Sequence, residues 1–264
     1  MKFAKKSLGQ NFLIDKNIIR KIINLTEIYN KNIIEIGPGK GALTEEILKK
    51  KPKSLVIIEK DKNLAEKLKI RYSKKKQIKI YNKDILSFDI ENICNTNSAI
   101  FGNLPYNISS QILVKIIKFK KWPPKFNDIV FMFQKELGEK ILAKFPSKNY
   151  SRLSILSNYR LNILNKFLVS ANCFLPKPKV TSLVIHFTPK MNVSFNIKNI
   201  NNLEKVTNIF FSNKRKMINK NIKKILKMHK LKKIPQLKLD IRPSNVKPEL
   251  YYKITELYDC LLYT

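Results

Sequence analysis

Two histidines, three cysteines and six glycines are all that this 264-residue chain holds of those residue types. So few histidines nearly exclude a His-based metal cluster or a Ser-His-Asp triad, and no metal is expected. His186 alternates with apolar neighbours in Ser182-Leu183-Val184-Ile185-His186-Phe187 and reads as structural. Cys94, Cys173 and Cys260 stand far apart with no C-x-x-C pair, which argues against a disulfide framework or a zinc site and fits a reducing cytoplasm. No apolar run approaches the roughly 20 residues that a bilayer span requires. The basic stretch from Met1 to Lys16 lacks the apolar core of a signal peptide. A soluble, cytoplasmic protein with no membrane partner is expected.

Acidic residues are also scarce, 19 against 53 Lys plus Arg, for a net charge of +34. A field of that sign attracts polyanions and raises their encounter rate, so nucleic acid is the first partner to consider. Part of the excess reflects composition. Lys, Asn and Ile crowd the chain while glycine is rare, as expected where codons drift towards A and T. Hydrophobic content of 44% is ordinary for a folded chain with a core.

From Asn17 to Ile28, apolar residues recur at helical spacing behind a cap at Asp15. Short apolar runs follow at 32–36, 55–58, 78–81, 98–101 and 128–133, and helical stretches at 42–50, 61–72 and 109–119 lie between them. Short buried strands alternating with helices describe an α/β parallel sheet, whose ligands bind outside the carboxyl ends of the strands. The alternation fades after about Lys144. Extended segments are expected at 159–169 and 180–188, and helices at 203–212, 217–228 and 248–262. A boundary near 190 separates an expected domain 1–189 from a smaller helical domain 190–264.

Glu35-Ile36-Gly37-Pro38-Gly39-Lys40-Gly41 follows a strand and opens a helix. Glycines there permit a tight turn and close approach of a ligand to the backbone. Roughly 20 residues on, Glu59 ends the next strand, where a carboxylate can accept bonds from ribose hydroxyls. Asp84, followed by Ile85, ends the third, where it can receive an exocyclic amine such as that of adenine. The constellation fits an adenosine-containing cofactor. A dinucleotide fingerprint would carry G-x-G-x-x-G, with a helix N-terminus close to the phosphates. Here the spacing is G-x-G-x-G, and acidic Glu35 disfavours a pyrophosphate. It suits the sulfonium and ammonium of S-adenosylmethionine, with NAD second.

Asn103-Leu104-Pro105-Tyr106 ends the fourth strand. The lone pair of an exocyclic adenine amine is delocalised into the ring, so methylating it requires acceptors for the amine hydrogens. The Asn103 side-chain carbonyl and the Leu104 backbone carbonyl supply two. Pro105 stiffens the backbone and the Tyr106 ring can stack on the base. With these motifs the chain resembles the ribosomal RNA adenine dimethyltransferases. The resemblance runs through Gln10-Asn11-Phe12-Leu13, Glu35 to Gly41, Ile58-Glu59, Asp84-Ile85, Gly102 to Ser109, Phe174 to Ser182, Asn213 to Lys216 and Arg242-Pro243-Ser244. It departs modestly at Lys177, within what is often a run of prolines, and at Thr181, where an acidic residue is common.

The resemblance implies a seven-stranded class I S-adenosylmethionine-dependent methyltransferase sheet followed by a small helical domain. It implies cofactor contacts from Asn11, Leu13, Gly37, Gly39, Glu59, Asp84, Ile85 and Asn103, and a base platform from Tyr106 and Phe174 around a flipped adenine. It also implies dimethylation of two adjacent adenosines in the 3′-terminal hairpin loop of small-subunit rRNA, within a pre-30S particle, by a monomer. Lys177 and Lys179 flank Phe174 and are expected to grip phosphates. Lys214-Arg215-Lys216 opens an expected basic helical stretch, through Lys220, Lys223, Lys224, Lys227, Lys230, Lys232 and Lys233, that faces RNA. Two other readings compete. One is the group that dimethylates large-subunit rRNA, which typically carries Ile where this chain has Leu104. The other is a ribosome-assembly binding factor whose catalysis is dispensable.

Overall fold

The computed structural model describes residues 10–262; the first nine residues of the basic N-terminal stretch lie outside that range. Nine strands occur among the described residues: β1 Phe12–Leu13, β2 Asn32–Ile36, β3 Ser54–Glu59, β4 Ile78–Asn82, β5 Ser98–Asn103, β6 Phe126–Gln134, β7 Leu161–Val169, β8 Phe174–Leu175 and β9 Ser182–Pro189. Seven form one sheet in the order β4-β3-β2-β5-β6-β9-β7. β2 to β6 run parallel, and β9 is antiparallel to both β6 and β7. The chain leaves β2 on one side for β3 and β4, then returns to its other side as β5. That reversal opens a crevice between the carboxyl ends of β2 and β5. β2 is apolar apart from Asn32 and Glu35 and buried from 33 to 36, because helices cover both faces of such a sheet. Ile33, Ile34 and Ile36 are all buried, each contributing ~1.5–3 kcal/mol relative to exposure.

The crossover helices start where capping chemistry predicts. Asp15 Oδ1 accepts from the N–H groups of Asn17 and Ile18 at 2.9 and 3.0 Å, opening Lys16–Ile23. Asp61 does the same for Asn63 and Leu64 at 3.0 and 3.4 Å, opening Lys62–Arg71. Such a cap contributes ~1 kcal/mol. The first helix stops at Ile23, short of the expected Ile28. There the Glu27 side chain accepts from the Ile28 and Tyr29 N–H groups, and a side chain that satisfies the backbone in this way competes with the helix ladder.

A two-stranded ribbon pairs β1 with β8, Phe12 opposite Leu175 and Leu13 opposite Phe174. It brings the N-terminal motif beside the segment that follows β7. Residues 1–138 and 161–189 cluster as one unit, and residues 139–160 and 190–264 as a second. This differs from a single cut near 190. The helix Arg152–Arg160 packs with Ile200–Phe211, and a stretch that buries its apolar face against C-terminal helices clusters with them.

In the second unit Leu203, Val206, Phe210, Tyr251 and Ile254 are fully buried, with the Phe210 and Tyr251 rings edge to face at 5.3 Å. Asp259 is buried and accepts from the Lys198 N–H at 2.7 Å and from the Asn202 side chain. The expected helix 217–228 is absent as a continuous element. Single turns at Asn219–Ile222 and Met228–Leu231 are separated by turns. Lysines three and four apart repel. Asn219 and Asn221 also turn side chains to backbone groups, the Lys220 N–H and the Phe210 carbonyl, which offers the chain an alternative to the helix.

Candidate active site

The glycine loop leaves β2 through three left-handed positions, Gly37 at φ +67°, Gly39 at +60° and Gly41 at +88°, conformations that disfavour any side chain. Gly39 has a second constraint: a Cβ there would stand 2.9 Å from Phe12 Cδ1. The loop is tied to β3, since the Gly37 N–H donates to the Ile58 carbonyl at 2.9 Å and the Gly39 N–H to Glu59 Oε2 at 3.2 Å.

Beside it lies an open cleft of about 1130 Å³, solvent-open mouth included. Of the residues expected from sequence, Asn11, Leu13, Gly37, Gly39, Glu59, Asp84, Ile85, Asn103, Leu104, Pro105 and Tyr106 all line this one cleft. Four consecutive parallel strands end there, so side chains distant in sequence converge.

Phe174 does not join them. The β1–β8 ladder alternates faces; Phe174 and Leu13 turn into the apolar cluster, where Phe174 is 2% exposed, while Leu175 is 57% exposed. In this arrangement Tyr106 lines the cleft and Phe174 does not, so the two rings of the expected sandwich are not both on its wall. Lys177 and Lys179 are exposed on the loop between β8 and β9. Lys214, Arg215 and Lys216 are exposed too, in turns of the second unit rather than in a helix.

Polar groups in the cleft are held individually. Glu59 Oε1 accepts from the Asp61 N–H at 2.8 Å while Oε2 takes Gly39. Burial pushes the Glu59 carboxyl up, and those backbone bonds oppose the rise. Asp84 Oδ2 receives the Lys60 ammonium at 2.7 Å and Oδ1 the Leu86 N–H at 2.9 Å; the Lys60 bond, then the Leu86 bond, hold Asp84 below its ordinary value. The Asn103 amide nitrogen donates to the Asn11 carbonyl at 3.1 Å. Only the NH₂ end of an amide can face a carbonyl, so this bond fixes the flip and leaves Oδ1 as the acceptor that remains. Among the described residues, no donor reaches Asn103 Oδ1 or the Leu104 carbonyl.

Glu35 is the exception. It is fully buried; Thr44 Oγ1 donates to its Oε2 at 2.6 Å, and Oε1 has no hydrogen-bond partner. Burial, with the Glu59 charge adding to it, pushes this carboxyl up to about 7 against the Thr44 bond. A buried oxygen with no partner at the lining of a cleft is a place for a donor that arrives with a ligand. Glu35, Glu59, Asp84 and the carbonyls are acceptors, and Lys40, Lys60 and Lys83 stand on the same lining. The acceptors suit a group that presents an ammonium, ribose hydroxyls and an adenine amine.

Sequence reasoning missed three contributors. Gln10 Nε2 reaches Asp61 at 3.2 Å, Thr44 holds Glu35, and the Ser182 hydroxyl meets the Tyr106 phenol at 2.6 Å. Burial pushes that phenol up, and the Ser182 bond opposes it. Thr44 was within reach of inspection, since the first turn of a helix behind a glycine loop folds back under its strand; the other two pairs have no local signature.

Residues 1–259 match the family model described as ribosomal RNA adenine dimethylase. A ribosomal RNA small subunit methyltransferase A from Pelagibacter ubique (strain HTCC1062) is 45% identical over 259 residues, covering 98% of this chain and 98% of the relative. A protein of the same name from Malacoplasma penetrans (strain HF-2) is 40% identical, covering 97% and 93%. Among solved structures, a dimethyladenosine transferase from Plasmodium falciparum superposes with a TM-score of 0.76 at 24% identity, covering 94% of this chain and 98% of that one. The last likeness concerns the fold, a class I methyltransferase sheet.

Proposed function

The chain belongs to the ribosomal RNA adenine dimethylase family, and from that premise we propose that it dimethylates two adjacent adenosines in the 3′-terminal hairpin loop of small-subunit rRNA. It acts as a monomer on a pre-30S particle in the cytoplasm. S-adenosylmethionine supplies the methyl group as an electrophile on a sulfonium leaving group. Glu35, Glu59 and Asp84 are the residues that would hold it.

The observation that carries the reading is the Asn103 amide, pinned by Asn11 so that Oδ1 and the neighbouring Leu104 carbonyl form a pair of acceptors. Two hydrogen bonds drawn from the adenine amine turn its lone pair out of conjugation. Asn103 and Leu104 thereby orient the nitrogen, and preorganised groups of this kind contribute without rearranging during the reaction. Pro105 limits the backbone at that turn, and Tyr106 offers a ring to the base. No strong base is required, because the proton leaves for water after the methyl group has moved. The names of the curated relatives favour the small-subunit substrate over large-subunit rRNA; among the described residues no helix is long and apolar enough to cross a membrane.

The test is methyl transfer from labelled S-adenosylmethionine to 30S subunits and 50S subunits from cells that lack this modification. Dimethyladenosine at two adjacent positions near the 3′ end of the small-subunit rRNA is expected. Label only in large-subunit rRNA would overturn the reading. Particle binding with no label in either would favour the assembly-factor alternative.

A further inference from the structure

Tyr106 stands on the loop after β5, and its phenol meets a residue 76 positions away, the Ser182 hydroxyl, at 2.6 Å. Ser182 is the first residue of β9 and is fully buried. Its backbone is gripped from both sides, by Gln134 of β6 and Val169 of β7, and the preceding Thr181 carbonyl accepts from the Lys135 N–H at 2.9 Å. The serine is therefore a fixed point at the end of the central strand of the antiparallel part of the sheet. The Tyr106 loop is held at its own end, where the Ser109 hydroxyl donates to the Tyr106 carbonyl at 3.2 Å. The ring spans these two anchors and lines the cleft.

The direction of the bond follows from burial. A hydroxyl has one hydrogen and two lone pairs. If the phenol donated, the Ser182 hydrogen would sit in a dry interior with no other acceptor among the described residues, and a buried unmade bond is costly. If Ser182 donates, the phenol hydrogen remains, on a ring that is half-buried at the edge of the cleft. Burial therefore favours Ser182 as the donor.

We propose that Ser182 is the positioning residue for Tyr106: its hydroxyl fixes the direction in which the ring that receives the target adenine extends and leaves the phenol hydrogen free for an acceptor on the RNA. This rests on the proposed reading of Tyr106 as the base platform. The ring cannot rotate about its Cα–Cβ bond without breaking the bond to Ser182. A base stacking on it meets a surface already in place, so the adenine amine reaches its reactive orientation without first ordering the ring.

The experiment compares Ser182→Ala, Ser182→Thr, Tyr106→Phe and the Ser182→Ala/Tyr106→Phe double variant, with undermethylated 30S subunits as substrate. Ser182→Ala is expected to lower kcat roughly three- to tenfold, the scale of one hydrogen bond. KM for the particle, the calorimetric Kd for S-adenosylmethionine and the melting temperature should stay as in the wild type. Ser182→Thr keeps the donor and should restore kcat. Tyr106→Phe should lose a similar factor, and the double variant no more than Tyr106→Phe alone, since both break one bond.

Wild-type kcat in Ser182→Ala, or losses that multiply in the double variant, would overturn the proposal. If Ser182→Ala melts early, Tyr106→Phe decides, since it breaks the same bond from the other side: a folded protein with reduced kcat supports the role, and full kcat refutes it. Asn103→Ala separates the two readings. Should Asn103→Ala methylate normally, the acceptor-loop assignment itself fails; should it be inactive while Ser182→Ala is normal, only the positioning role fails.

Discussion

The cleft at the strand ends and the basic segment from 212 to 233 use polar side chains in opposite ways. In the cleft nearly every polar atom is aimed. Glu59 and Asp84 each accept with both oxygens, and the Asn103 amide is locked by Asn11. In the basic segment Lys214, Arg215 and Lys216 are exposed, and none has an ion-pair partner among the described residues. One region works through the direction of single atoms, the other through a summed field that barely depends on any one position. Chemistry on a single nitrogen needs the first; holding a large polyanion needs the second. The two should therefore break differently.

The largest effect is expected at Asn103. Asn103→Ala removes an acceptor that is in place before the base arrives, and methyl transfer should fall by about 10²–10³-fold. Affinity for the 30S particle, measured by filter binding, should stay within about twofold, because phosphate contacts elsewhere carry it. A rate within a factor of a few of wild type would show that direction is not what the cleft supplies.

Glu35 comes next, through stability. Its folded value of about 7 lies above the ordinary 4.5, so the folded chain holds a proton that the unfolded chain releases. The associated stability is fully present below about pH 4.5 and is lost as pH rises through about 7. It amounts to at most ~3 kcal/mol. Urea unfolding of the cofactor-free protein should therefore give a lower free energy at pH 7.5 than at pH 5.5, and Glu35→Gln should flatten that difference. An unchanged pH slope in Glu35→Gln would remove the carboxyl from this role.

Glu59→Ala should weaken S-adenosylmethionine binding by ~1.5–3 kcal/mol, the scale for bonds to a charged group. It also frees the Gly39 N–H that Glu59 now holds. Calorimetry showing equal affinity would exclude the ribose role.

The smallest effect belongs to the field. Neutralising Lys214, Arg215 and Lys216 together should reduce the salt dependence of particle binding by up to about three phosphate contacts, with cofactor affinity untouched. An unchanged slope across a salt series would make this segment a solvated face with no RNA contact.

Much of the cleft was legible before any coordinates. Gly37, Gly39 and Gly41 announce a turn by residue type alone, and Glu59, Asp84 and Asn103 each close an apolar run of strand length. Asp15 and Asp61 mark helix starts because a cap depends on residues two and three positions on. Helix 248–262 is where its apolar spacing and Pro248 place it. All of these follow from backbone geometry over a few residues, which neighbours in the chain specify by themselves.

What tertiary structure decided is of another kind. The face to which Phe174 turns depends on its pairing with Leu13, far upstream in the chain. Asp128 and His186 are joined at 2.7 Å across β6 and β9, with Thr26 on the other carboxylate oxygen. Residues 139–160 cluster with the C-terminal helices because of what their apolar faces cover. The basic run after Met217 has helical spacing yet breaks into single turns, because charge repulsion and asparagine side chains outweigh a weak periodic signal. The Tyr106–Ser182 bond joins a loop to the start of a strand that no periodicity connects to it. Local pattern determined which residues end the strands. The order of the strands, a property of the whole chain, decided which of those ends meet.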